Sequence, residues 1–303
     1  MFQLVNNTSS STAVPAVIQQ AIITKMQNAT RIFYNRVPKC GSAFVLEVLK
    51  ALEIANKRFQ TIHSTQYSLW RLRGETAMRQ LMNEFDKYDT GGGPWVFDRH
   101  LFFVDFTLYN RTNPLYINFV RKPIDGFFSQ YHYIRELHPP PEMALKRHSM
   151  TFEECVYSNH SECSMKTAFR IVQFFCGHSE ICVQPSRKAL QLAMHNVNKF
   201  YGVVALNEDM LNGLALLEQT TPKLFKGMTA MAASMINRRI NKRKKKAERP
   251  AKALAIMEER LQYDNELYAF LKQRYMLFKR YFQTESFVKQ TLGSINQTVP
   301  GHS

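Results

Sequence analysis

The stretch Phe33-Tyr34-Asn35-Arg36-Val37-Pro38-Lys39-Cys40-Gly41-Ser42 constrains the fold more than any other part of this chain. A β-like apolar run enters a tight turn. A lysine, a glycine and a hydroxyl then stand directly before a helical pattern, Ala43 to Leu52. A strand-turn-helix junction aims backbone N–H groups and the positive end of a helix dipole at one point, which suits a phosphate or a sulfate. The usual nucleotide signature G-x-x-x-x-G-K-[ST] is absent, because Lys39 precedes Gly41. The junction therefore reads as a seat for an anionic donor held by lysine and backbone, without the Mg²⁺ context of that signature. Strand and helix readings alternate over residues 30–235, which predicts an α/β fold with a central parallel sheet flanked by helices.

Two later segments have the same character. Leu115-Tyr116-Ile117-Asn118-Phe119-Val120-Arg121 reads as a buried strand closed by an arginine, and Pro123 starts a new element. Ile124, Phe127, Phe128 and Tyr131 follow at helical spacing, with Ser129 among them. An arginine at a strand's end and a serine two turns into the next helix converge readily on one phosphate, since Arg offers planar, bidentate donors. The plain alternative is a strand and a helix of an α/β core with charges at their ends. Between the two segments, after Gly91-Gly92-Gly93-Pro94, the apolar flanks of Trp95-Val96-Phe97-Asp98 predict a strand ending near Asp98. His100 then falls at its carboxyl edge, where α/β sheets carry their ligands. A lone histidine is more often structural or solvated than catalytic, so His100 needs context.

The ordered set supplies it. The first junction resembles the 5′-phosphosulfate loop of sulfotransferases, and Tyr34-Asn35-Arg36-Val37-Pro38-Lys39 resembles the uronosyl 2-O-sulfotransferases, the heparan sulfate and the dermatan/chondroitin branches together. The resemblance covers residues 31–282. It implies a sulfotransferase-type P-loop fold and 3′-phosphoadenylyl sulfate as the sulfuryl donor, held at Arg36, Lys39, Cys40, Gly41, Ser42 and Ala43. Arg121 and Ser129 fall on the family's 3′-phosphate arginine and serine, and His100 on its catalytic base. Ser234 and Arg238 fall on a late loop that closes over the donor. Lys122 stands where the family has an acidic residue, and Asp98 where the heparan branch has a second histidine. The implied reaction uses neutral His100 to take the proton of a hydroxyl as its oxygen attacks sulfur, while Lys39 and the loop amides neutralise charge on the transferring group. No metal is implied.

Charge agrees with a polyanionic partner: 40 Lys and Arg against 24 Asp and Glu leave a net charge of +16. The densest cluster, Arg238 to Lys246, also reads as a solvated tail or a nucleic-acid patch, but no nucleic-acid-binding motif accompanies it. Of the five cysteines, Cys155/Cys163 and Cys176/Cys182 make two short-range couples and Cys40 is the odd one. Zinc, with His160 and His178 nearby, is the alternative, though no standard ligand spacing is matched. The resemblance implies sequential disulfides, and disulfides imply an oxidising compartment. Six Asn-x-Ser/Thr triplets, at Asn6, Asn7, Asn28, Asn110, Asn159 and Asn296, agree. The family implies a Golgi enzyme with a type II signal anchor; the Ala13–Ile23 stretch is too short and polar to be one, so an anchor missing from this sequence is expected.

The domain expectation is a stem-like segment 1–29, a sulfotransferase domain 30–285 and a tail 286–303, with one long helix from Ala251 to Phe282. A trimer is carried by the resemblance alone. The function expected is a uronyl 2-O-sulfotransferase acting on heparan sulfate or dermatan/chondroitin sulfate. An inactive polyanion-binding homologue and a nucleic-acid-binding protein are the rivals.

Overall fold

Strands β1 (Arg31–Asn35), β3 (Trp95–Arg99), β4 (Leu115–Val120) and β5 (Tyr201–Leu206) are buried at nearly every position, while β2 (Gln60–His63) is partly exposed at an edge. Burial on both faces is why these segments read as continuous apolar runs rather than alternating ones. They form one sheet in the order β2-β3-β1-β4-β5, with every neighbouring pair parallel. The fold is that of a computed structural model, which describes residues 16–66, 70–137, 149–168, 170–239 and 248–297.

The helices flank this sheet: α1 (Ala16–Gln27), α2 (Ser42–Asn56), α3 (Gly74–Thr90), α4 (Pro123–Leu137), α5 (Phe152–Tyr157), α6 (Ile171–Cys176), α7 (Arg187–Phe200), α8 (Met210–Thr220), α9 (Met228–Arg239), α10 (Ala251–Arg260), α11 (Gln262–Tyr281) and α12 (Thr284–Gln297). On one face Phe85 of α3 packs within 5.5 Å, ring centre to ring centre, of Phe33 and within 4.7 Å of Phe97. The α/β architecture is thus the one expected from the sequence.

A buried polar cluster ties the central strands together. Asn35 Nδ2 donates to Leu101 O and Phe174 O, each at 3.3 Å, while its Oδ1 accepts from Asn118 Nδ2 at 3.0 Å and Tyr201 Oη at 3.1 Å. One side chain therefore joins β1, β4 and β5, the segment leaving β3, and α6.

Three element expectations differ from the structure. The stem reading of 1–29 gives way over α1, whose Ile22, Ile23 and Met26 are buried and which packs on β5. The tail reading of 286–303 gives way over α12, which packs on α8 and α9 and buries Val288. The single helix of Ala251–Phe282 is two, broken at Leu261. That bend lets Asp264 accept the N–H groups of Arg170, Ile171 and Val172 at 2.9, 3.1 and 3.0 Å, which caps α6.

Both cysteine couples are disulfides, Cys155–Cys163 and Cys176–Cys182. Sγ of Cys155 lies near His160 and Glu162, but its bond to Cys163 removes the thiolate that a zinc site would need. Among the described residues no helix is long and apolar enough to cross a membrane. Asn6, Asn7, Pro139–Pro141 and Ile240–Lys246 lie outside the described residues.

Candidate active site

In a 2-3-1-4-5 sheet the connections leave β1 and β4 in opposite directions, so a crevice opens beyond their carboxyl ends. The segments singled out in the sequence all emerge there. Asn35 pairs with Arg99, which brings His100 level with Arg36; Tyr34 pairs with Ile117, which brings Arg121 level with Pro38.

The loop after β1 is built for close backbone approach. Lys39 and Gly41 are both left-handed, at φ 64° and 81°. Such alternation turns successive amides inward to form an anion-binding nest. Gly41 sits at the N-cap of α2, so the Ser42 and Ala43 amides of its first turn have no acceptor within the helix. A Cβ on Gly41 would overlap Asn207 Oδ1 and Met210 Cε, so the segment after β5 braces the loop from behind. The Lys39 ammonium lies 3.4 Å from the centre of the Tyr133 ring on α4. Cys40 is buried at 2% exposure, and burial pushes its thiol up to about 12, against the backbone N–H of Arg121. It is a filler that joins loop to β4 and not a nucleophile.

The Arg121 guanidinium and the Ser129 hydroxyl are part-exposed, and neither makes a hydrogen bond or ion pair among the described residues. They fit an anion. Lys122 points elsewhere: its N–H donates to Glu208 Oε1 at 2.8 Å and its Nζ lies 3.0 Å from Glu258 Oε1, so it ties β4 to its neighbours rather than adding charge to the crevice.

His100 donates from Nδ1 to Arg36 O at 2.7 Å, and among the described residues no group bonds its Nε2. Burial, then the Arg36 charge, holds its pKa down to about 4, although the bond to Arg36 O works against them. Trp70 flanks the ring at 6.4 Å. Asp98 is buried, which raises its carboxyl above the usual range against the pull of Arg36 and His63. Its Oδ1 lies 2.8 Å from Arg36 Nε, and both carboxylate oxygens lie 3.0 Å from His63 Nδ1. Where the resemblance expects a second histidine, an imidazole is thus supplied from the next strand.

Arg36 is only 4% exposed, with its Nε beside Asp98, and it reaches the crevice edge through its carbonyl and its charge. The Ser234 hydroxyl bonds back to Met231 O at 2.8 Å on α9; the side chain of Arg238 is outside the described ones. His63, Tyr133 and Asn207 were not found from sequence. The usable signal was the recurrence of polar residues just past strand ends and, for Tyr133, its place one turn beyond Ser129.

The crevice thus gathers a nest and a lysine after β1 and, after β4, an arginine and a serine whose side chains have no hydrogen-bond partner among the described residues. Comparison with known proteins points the same way. Residues 23–271 match the model of the sulfotransferase family. The chain is 30% identical to the uronyl 2-sulfotransferase of Homo sapiens over 273 residues, 86% of this chain and 66% of that protein. It is 27% identical to a heparan sulfate 2-O-sulfotransferase of Caenorhabditis elegans over 267 residues, 82% and 79% of the two. It spans 66% and 63% of the human and mouse uronyl 2-sulfotransferases. Loop, strand ends, sheet order and matched residues agree, and the chain belongs to the sulfotransferase family.

Proposed function

We propose that this protein transfers a sulfuryl group from 3′-phosphoadenylyl sulfate to the 2-hydroxyl of a uronic acid in a glycosaminoglycan, heparan sulfate or dermatan/chondroitin sulfate. The observation that carries the proposal is the meeting of the Lys39 nest, Arg121 and His100 at the carboxyl ends of three adjacent strands. His100 Nε2 takes the proton of the acceptor hydroxyl; Nδ1 is already committed to Arg36 O. Lys39 and the amides of the nest neutralise charge on the transferring and leaving oxygens. Arg121 and Ser129 hold the 3′-phosphate and so set the donor in line. The excess of basic residues draws the polyanionic acceptor.

Disulfides support an oxidising lumen, and we place the enzyme in the Golgi, membrane-anchored, on the strength of the relatives' glycosaminoglycan chemistry. A homotrimer is the assembly we expect.

Labelled donor and a panel of defined polysaccharides, digested to disaccharides after reaction, test the proposal and identify the acceptor. Label is expected on the 2-position of the uronic acid. His100→Ala and Lys39→Ala should each lose turnover by about 10²-fold or more with the fold retained by circular dichroism. Near-normal activity in either variant would refute its assigned role, and label on another position would refute the acceptor assignment.

A further inference from the structure

The Asn-x-Ser/Thr triplets within the described residues are not equivalent. At Asn28 the side chain is engaged at both ends: Nδ2 donates to Thr24 O at 3.1 Å and Oδ1 accepts from Lys223 Nζ at 3.0 Å. Asn110 and Asn159 are exposed, stand in left-handed backbone at φ 56° and 50°, and have side-chain amides with no hydrogen bond among the described residues. Each projects from a turn. Asn110 caps the short turn Phe106–Tyr109, and Asn159 lies within the loop closed by Cys155–Cys163.

A second observation is independent of the triplet. Two residues before each asparagine stands an open apolar side chain: Leu108 is 77% exposed and Tyr157 53%. Single exposed apolar residues are ordinary on a protein surface. At Asn110, however, the apolar residue belongs to a concavity of about 420 Å³ between α3 and the turn. Met82, Leu108 and Tyr109 give it apolar surface, and Glu75, Arg79 and Asn83 give it polar groups, with Asn110 itself in the lining. Apolar surface with a few convergent polar groups is what a sugar ring needs, since it presents C–H faces and hydroxyls together.

We propose that Asn110 and Asn159 carry N-linked glycans, and that the first N-acetylhexosamine on Asn110 rests in this concavity against Leu108 and Met82. In the transfer, made by the lumenal glycosyltransferase that supplies the base for the amide proton, the asparagine Nδ2 displaces polyprenyl pyrophosphate from the anomeric carbon of a polyprenyl-pyrophosphate-linked oligosaccharide. A C–N bond forms, the C–O bond to phosphate breaks, the amide gives up one proton, and polyprenyl pyrophosphate leaves. The modified amide keeps one N–H. The assignment depends on the oxidising lumen that the disulfides imply and not on sulfuryl transfer.

The full chain, directed through the secretory pathway of animal cells, is treated with peptide N-glycosidase in heavy-oxygen water and digested. Mass spectrometry is expected to find the heavy-oxygen label at Asn110 and at Asn159, and Asn110→Gln and Asn159→Gln should each speed gel migration by one glycan step. An unlabelled asparagine at either position in secreted protein overturns the assignment there. The seat is read separately in an Asn159→Gln background. Enzymatic deglycosylation should lower the melting temperature of this variant by a few degrees more than that of the Asn110→Gln, Asn159→Gln double variant, and Leu108→Ser should erase most of that difference. A melting temperature indifferent to the glycan overturns the seat.

Discussion

A carbonyl has no proton to give, so the bond between His100 Nδ1 and Arg36 O puts the hydrogen on Nδ1 and leaves the lone pair on Nε2. With its pKa held down to about 4, the imidazole is in its basic form across the whole neutral range. The pH profile of kcat/KM should therefore show no acid limb near the ordinary histidine value of 6.5, and activity should fall only as pH approaches about 4. A limb near 6.5 would mean that another group supplies the base. Tyr133 makes a second claim at this scale. An ammonium over a tyrosine face is worth up to about 2 kcal/mol when partly desolvated, and the ring sits one turn beyond Ser129 on the same face of α4. Tyr133→Leu is expected to lower kcat about tenfold and Tyr133→Phe to restore it, with affinity for adenosine 3′,5′-bisphosphate, which lacks the sulfuryl group, little changed in either. Equal losses in both variants would point to packing instead. His100 and Arg121 were legible in the sequence because each ends a conspicuous apolar run. His63 was not, because Gln60–His63 is a short, half-exposed edge strand with no run to mark it.

Of the elements that sequence reasoning found, β1, β3 and β4 have their apolar content fixed by burial on both faces, and α2 and α4 each bury a broad apolar face. Those it missed, α1 and α12, bury only a narrow stripe and otherwise face water. The break at Leu261 had no Pro or Gly to announce it; its cause is tertiary, the demand of α6 for a cap. Asp264 meets that demand with three hydrogen bonds from a position that is 2% exposed. Asp264→Ala would leave three buried N–H groups without acceptors and should destabilise the protein by about 3 kcal/mol or more in urea unfolding. Asp264→Asn, which keeps one accepting oxygen, should cost less. A loss under about 1 kcal/mol for the alanine variant would show that water or backbone replaces the carboxylate.

Across the molecule, buried imidazoles set how stability responds to acid. His100 and His178 are both held down to about 4, in each case chiefly by burial. Between about 4 and 6.5 the unfolded chain binds a proton at each that the folded chain refuses, so stability falls as pH drops through that window. Asp264, raised by burial to about 6, takes its proton in the fold first and works in the opposite direction between 3.8 and about 6. Asp98, also raised by burial, sides with Asp264, whereas Glu53, Asp86 and Asp105 are held below the ordinary carboxyl range by their hydrogen bonds and lose that stabilisation in acid together with the two imidazoles, which leaves a net loss. The melting temperature should fall as pH is lowered from 6.5 toward 4, less steeply in His178→Gln, and an unchanged slope in that variant would remove His178 from the explanation. The Asn35 cluster has a consequence of its own. Sliding β1 by one residue against β4 would leave the Asn35 and Asn118 amides and the Tyr201 hydroxyl with no mate inside the sheet. The spacing between nest, arginine and imidazole is therefore a measurement made deep in the interior and handed to the surface. Loops at the mouth of the crevice can change freely without recalibrating it.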